Sequence, residues 1–237
     1  MTLVKSLFFG LYWVLLLVGC YFVFDEDLKV GNIFSSALMP VLIVYLYLHL
    51  KETHSKTLKI YFFTALVLSW VGDFFKTISI DTSKTNDINN VKYTIYGIVA
   101  CVIANLCYAF AFKKIRPIKI SKAVLPSLVT IACMLTIFAV FHVLPHKTSG
   151  ILYNPLMVYL VSLSLPAVFA SNILDSNARK KLALNYFLPA AVLSILSGSL
   201  FILNKFKIFE PKIDAVVLLL YGYAQMIYVN GFRKTAK

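Results

Sequence analysis

Carboxylates are scarce in this sequence. Ten Asp and Glu stand against 23 Lys and Arg in 237 residues, and charged residues of both signs make up only 14%. An ordinary soluble domain carries roughly 25%. A soluble chain of this length needs a polar shell, and there is too little charge here to build one. Glycine-rich phosphate loops are missing. The four His offer no pair on a common helical face: His142 and His146 are four apart, but Pro145 breaks the helix between them, and His49 and His54 sit at the edge of an apolar block. Of the four Cys, Cys101, Cys107 and Cys133 lie inside apolar blocks at no metal or redox spacing, which makes them small packing residues. Metal and cofactor chemistry therefore has no donor set in the sequence.

What is abundant is hydrophobicity, at 60% of residues. It falls into blocks close to the roughly 20 residues that cross a bilayer as a helix. The blocks are Ser6–Phe24, Ile33–Leu50, Leu58–Ile78, Thr94–Phe112, Ala123–Val143, Tyr153–Asn172, Ala183–Leu203 and Ile213–Gly231. Barrel strands would need alternating segments of about ten residues instead. Helices satisfy their own backbone groups in lipid. The expected fold is all-α: a polytopic bundle of about eight transmembrane helices, forming one integral membrane domain over residues 1–237.

The net charge of +13 does not point to nucleic acid, because its distribution follows topology. The tails and even-numbered gaps hold 15 of the 23 basic residues, among them Lys5, Lys51, Lys113, Lys114, Arg116, Arg179, Lys180, Lys181, Arg233 and Lys234. The first odd-numbered gap is the acidic run Asp25–Glu26–Asp27. The positive-inside rule places both termini in the cytoplasm, and the expected location is a bacterial inner membrane. The Lys residues then meet anionic lipid headgroups. The run Leu17-Val18-Gly19-Cys20 fits a lipoprotein cleavage box, but apolar residues continue through Phe24 and complete a full span.

Two halves are suggested by paired motifs. Ala104-Asn105, Tyr108 and Phe112 on span four match Ala224-Gln225, Tyr228 and Phe232 on span eight. Leu68-Ser69 with Gly72-Asp73 on span three matches Leu193-Ser194 with Ser197-Gly198 on span seven, and spans two and six each hold an early Pro, Pro40 and Pro155. Half-repeats of four spans each, residues 1–120 and 121–237, would run in parallel, related by an axis along the membrane normal. Sites in such proteins lie where the halves meet.

Nine acids sit in gaps or at span ends, including Glu52, Asp81, Asp87, Asp175, Glu210 and Asp214. Asp73 alone lies well inside a span. An intramembrane carboxyl group costs roughly 2.5–3.5 kcal/mol on insertion scales and marks a functional site by default. Low dielectric favours the neutral form of a carboxyl group, which can donate a proton. A structural role competes: Lys76, three residues on, is placed to pair with Asp73 while snorkelling outward. Polar stripes accompany the acid, with Ser69 on span three, Asn105 and Tyr108 on span four, and Tyr221, Gln225 and Tyr228 on span eight. Each serves either as interhelical hydrogen bonding or as the lining of a shared cavity, to which Ser197 and Ser199 would add.

Met39-Pro40-Val41-Leu42, Leu68-Ser69-Trp70-Val71-Gly72-Asp73, Ala104-Asn105-Leu106-Cys107-Tyr108 and Ala224-Gln225 together resemble the YhhN-like, or lysoplasmalogenase, family. The resemblance runs through nearly the whole chain. It implies an eight-helix membrane enzyme that hydrolyses the vinyl ether of a lysolipid and releases a fatty aldehyde. Its partners would be a lysophospholipid or another single-chain lipid, and it would need no cofactor. The resemblance assigns Asp73 as the catalytic acid. Ser69, Asn105, Tyr108, Ser197, Ser199, Tyr221 and Gln225 would line the substrate site. The chain also departs from the family pattern. Gly198 stands where a second intramembrane acid is expected, Asn105 where His is frequent, and Ser35 where Lys is frequent. The alternative is a catalytically impaired relative that binds or transports lipid.

Overall fold

A computed structural model describes residues 2–50, 55–78, 88–117, 124–143, 150–208 and 210–236. Glu52, His54, Asp81, Asp87, His146 and the side chain of Lys76 lie outside the described residues. All regular structure among the described residues is helical. The spans are α1 (Thr2–Phe24), α2 (Leu28–His49), α3 (Lys56–Ile78), α4 (Ile88–Ile115), α5 (Val124–Val143), α6 (Tyr153–Leu174), α7 (Lys180–Leu203) and α8 (Pro211–Arg233). Among the described residues eight helices are thus long and apolar enough to cross a membrane, as the sequence blocks predict. The chain is a multi-pass bundle.

The helices overrun the apolar blocks at several ends. α4 starts at Ile88 rather than Thr94 and has 28 residues, about 42 Å of helix. That exceeds the roughly 30 Å hydrocarbon layer but matches the 40–45 Å that includes the headgroup zones. Beyond Asn90, Lys92 is exposed, as such a zone allows. The α1–α2 connection is short because Glu26 takes a left-handed backbone (φ 66°). Asp27 then caps α2, accepting from the Val30 amide at 3.2 Å. Pro189 interrupts the hydrogen-bond ladder within α7: it has no N–H to return to the preceding turn. A wide turn at Ala183–Phe187 precedes it, in which the Leu188 amide reaches back five residues to Ala183. A second wide turn, Asn204–Ile208, follows α7. The buried Asn204 side chain holds it to α8: its Nδ2 donates to Glu210 O at 2.9 Å, and its Oδ1 accepts from the Glu210 amide at 2.8 Å.

Neighbouring helices close a ring in the order α1, α2, α3, α4, α6, α7, α8 and back to α1, with α5 outside it against α6. The pairs α2–α3, α3–α4 and α4–α6 have counterparts in α6–α7, α7–α8 and α8–α2. The outer helices differ, since α1 belongs to the ring and α5 does not. The outer surface of α5 presents Leu128, Ile131, Leu135 and Phe138, as a lipid-facing helix should.

The ring is filled unevenly. At the end that carries both chain termini, aromatic side chains occupy the axis. Phe62 stacks on Phe232 with ring centroids 4.0 Å apart, Tyr108 on Tyr228 at 4.8 Å, and Phe112 meets Phe187 at 4.6 Å. Tyr12 closes α1 onto α8, donating to Gly222 O at 2.6 Å. Toward the opposite end the bundle is hollow, and Gly72, Gly97 and Gly198 are among the residues that line the hollow.

Candidate functional site

The hollow is a cavity of about 130 Å³. One water requires roughly 10–15 Å³ of such space, so several fit. Glycine creates it. A Cβ on Gly72 would lie 2.4 Å from Cys101 Sγ and 3.2 Å from Gly97 O, so α3 and α4 approach too closely for any side chain there. This contact seats the next residue, Asp73, on the cavity wall.

Asp73 is half-buried, and Tyr221 Oη donates to its Oδ2 at 2.9 Å. The bond joins α3 to α8 across the ring, between residues 148 positions apart in sequence. Ser197 also lines the cavity, and its hydroxyl donates to Val217 O at 2.9 Å, tying α7 to α8. Gly198 faces the same space. Asp73, Ser197 and Tyr221 are therefore brought together on the cavity wall.

The other candidate residues lie elsewhere. Ser69 is buried one turn from Asp73, off the cavity wall. Tyr108 donates to Gln225 Oε1 at 2.7 Å, and this buried pair sits beneath the cavity among the stacked aromatics. Asn105 donates to Ser162 Oγ at 3.0 Å, joining α4 to α6. Ser199 points away from the cavity, and its hydroxyl has no hydrogen-bond partner among the described residues. Asn105, Tyr108 and Gln225 thus act as hydrogen bonds between helices.

The cavity also gathers residues that sequence reasoning did not place on its wall. Asn32 and Ser35 come from the first turns of α2, Thr77 from the last turn of α3, and Thr94 from early α4. Tyr159 contributes from α6, Lys205 from the wide turn after α7, and Asp214 from the first turn of α8. All are drawn from the same ends of their helices, so these groups form the outer part of the cavity. Asp214 lies seven residues before Tyr221, about 10 Å along the helix. It is half-buried, with no hydrogen bond or ion pair among the described residues. A helical signal was available: Asp214, Tyr221, Gln225 and Tyr228 share one stripe of α8, and Ser197, Phe201 and Lys205 share one of α7. Position at a span end hid them, because interfacial charges ordinarily need no explanation.

The arrangement brings a carboxyl group, a phenol, several hydroxyls, a second carboxylate and an ammonium group onto one space large enough for water. It can transfer a proton at its inner end and bind a charged group at its outer end. The opposite end of the bundle is chemically different. There Arg116 pairs with Asp175 at 2.9 Å and donates to Asn172 O at 2.7 Å, fixing α4 to the end of α6. Arg233 donates to Tyr45 Oη at 2.7 Å.

The sequence profile of the YhhN family matches residues 31–232. No curated protein and no solved structure matches the chain.

Proposed function

Since the chain belongs to the YhhN family, we propose that it is a lysoplasmalogenase-like membrane hydrolase that cleaves the vinyl ether of a lysolipid. The observation that carries this reading is the placement of Asp73. The one carboxyl group deep in a span is held by Tyr221 on the wall of a cavity able to hold water. A purely structural Asp73 would not need that cavity.

Vinyl-ether hydrolysis begins with protonation at carbon. Asp73 gives its proton to the alkenyl carbon distal to the ether oxygen, leaving an oxocarbenium ion and a carboxylate. Water adds to the carbon bearing oxygen, and the proton it releases returns to a carboxylate. The resulting hemiacetal collapses, breaking its bond to the glycerol oxygen. The products are a fatty aldehyde and the free glycerophospho-alcohol, with one water consumed. The logic parallels glycoside cleavage, in which two carboxyl groups flank an oxocarbenium ion. Tyr221 occupies one oxygen of Asp73 by hydrogen bonding and so orients the other toward substrate. The Asp73 carboxylate left behind stabilises the cation, where preorganised charge is most effective.

Gly198 supplies no second acid at the inner end. Asp214 is the further carboxylate on the cavity wall, and Lys205 offers a cation for the substrate phosphate where Ser35 cannot. Headgroup at the outer end and vinyl ether at Asp73 is the substrate pose these charges favour. With both termini in the cytoplasm of a bacterium, the headgroup would enter from the outer side of the inner membrane.

The test is aldehyde release from a lysoplasmalogen by the purified protein. Asp73→Asn should abolish it while leaving a folded, membrane-inserted protein. Full activity in that variant would make Asp73 structural. Silence of the wild type, with retained binding of single-chain lipid, would favour the second reading, a lipid-binding or transport relative. Gly198 is the specific observation behind that reading.

A further inference from the structure

A second cleft lies at the end of the bundle that carries the termini, between the start of α7 and the end of α8. Its volume is about 300 Å³, and its walls include Arg179, Lys181, Asn185, Tyr186, Lys234 and Thr235. Arg179, Lys181 and Lys234 bring three cations to it, and among the described residues no carboxylate lines it. We propose that this cleft binds the phosphate of an anionic lipid headgroup, independently of any hydrolysis in the cavity at the other end.

Two of the three cations are positioned by neutral groups rather than neutralised by acids. The Arg179 guanidinium donates to Ile115 O, the last residue of α4. The Lys234 ammonium donates to Tyr186 Oη and lies 4.5 Å from the centre of that ring. None of the three forms an ion pair among the described residues. By contrast Arg116, at the same end, has Asp175. Uncompensated charge held by fixed acceptors is what an anion site requires, since binding then costs little side-chain ordering. Asn185 adds a neutral hydrogen-bond donor. The N-terminus of α7 adds the positive end of its helix dipole.

Two observations favour a lipid phosphate over a free one. The cleft lies where membrane-spanning helices start and stop, which is headgroup level. Leu184, between cleft residues on α7, is 53% exposed and gives an acyl chain an apolar wall beside the phosphate. Basic clefts between spans at this level are suited to such headgroups.

The experiment is native mass spectrometry of the full-length protein in detergent, titrated with phosphatidylglycerol, phosphatidylcholine or inorganic phosphate. The wild type should retain phosphatidylglycerol in preference to phosphatidylcholine. The variant Lys181→Gln/Lys234→Gln should bind phosphatidylglycerol roughly thirtyfold more weakly, from the loss of two headgroup-level cations. Lys113→Gln/Lys114→Gln removes as much charge from the same end without touching the cleft, and should bind as the wild type does. Equal weakening in both variants would overturn the proposal, because general surface charge would then explain the preference. Unchanged binding in the cleft variant would overturn it as well. Displacement of phosphatidylglycerol by millimolar inorganic phosphate would overturn the lipid assignment. If the double variant is unfolded, Lys181→Gln alone is read instead. Lys181 is exposed and its ammonium has no partner among the described residues, so its loss should leave the fold intact and still weaken binding severalfold.

Discussion

Placing a carboxyl group at Gly198 tests both the packing and the proposed chemistry. A Cβ there would stand 2.4 Å from Leu163 Cδ1 and 3.4 Å from both Cε1 and Oη of Tyr159. The first distance is a clash, but with the far end of a flexible side chain. Leu163 is 95% buried in the packing between α6 and α7, so it has little room to retreat. Overpacking of this kind costs about 1–3 kcal/mol. Gly→Ala in a helix interior returns up to about 1 kcal/mol through propensity. Gly198→Ala should therefore be destabilising by about 0–2 kcal/mol, and Gly198→Asp by more, because it also buries a carboxyl group. Leu163→Ala removes the clashing methyl. The two substitutions should be coupled, with the double variant at least about 1 kcal/mol more stable than the sum of the single effects. Tyr159 Oη lies within reach of the new carboxyl group and can hydrogen-bond it. Thermal unfolding of the four proteins in one detergent gives the coupling, and aldehyde release on the same samples gives the chemistry. The expected outcome is higher hydrolysis in Leu163→Ala/Gly198→Asp than in Leu163→Ala. Additive stabilities would refute the steric argument. A folded double variant with no gain in hydrolysis would show that the inner end lacks more than one carboxyl group.

Other outcomes follow from the site. Tyr221→Phe removes the hydrogen bond to Asp73 and should lower kcat by about 10–100-fold, as expected for a bond to a charged group worth about 1.5–3 kcal/mol; a change under threefold would make Tyr221 a spacer. Lys205→Met should raise KM for a phosphate-bearing lysolipid about tenfold or more and leave an alkenyl glycerol without phosphate unaffected. An equal effect on both substrates would remove Lys205 from headgroup recognition. A reporter fused after Lys237 that works only in the cytoplasm should be active, and activity of an exclusively external reporter would reverse the assigned topology.

Composition and block length were enough to settle the class of fold. Eight apolar runs with few charges can satisfy their backbone only as helices in lipid, and no tertiary contact is needed to reach that conclusion. The singular position of Asp73 was equally legible, since burial of an acid in a span is a local property of the sequence. The helix ends were less so. Hydrophobicity marks the hydrocarbon boundary, whereas backbone hydrogen bonding carries α4 beyond it into the headgroup zone. The wide turns around Pro189 and after Leu203 depend on how α7 meets its neighbours. The division of the polar residues into cavity lining and interhelical bonds belonged to the tertiary structure alone. Tyr108 and Gln225 share a stripe logic with Tyr221, yet the first two bond each other beneath the cavity and the third reaches Asp73. One helical period separates Gln225 from Tyr221, and what differs is the neighbour opposite: aromatic rings at one level, glycines at the next. Asp214 and Lys205 look like ordinary interfacial charges along the chain. They become part of a site because the ring of helices closes and turns both side chains onto the same hollow, a relation between spans that the order of residues within one span does not contain.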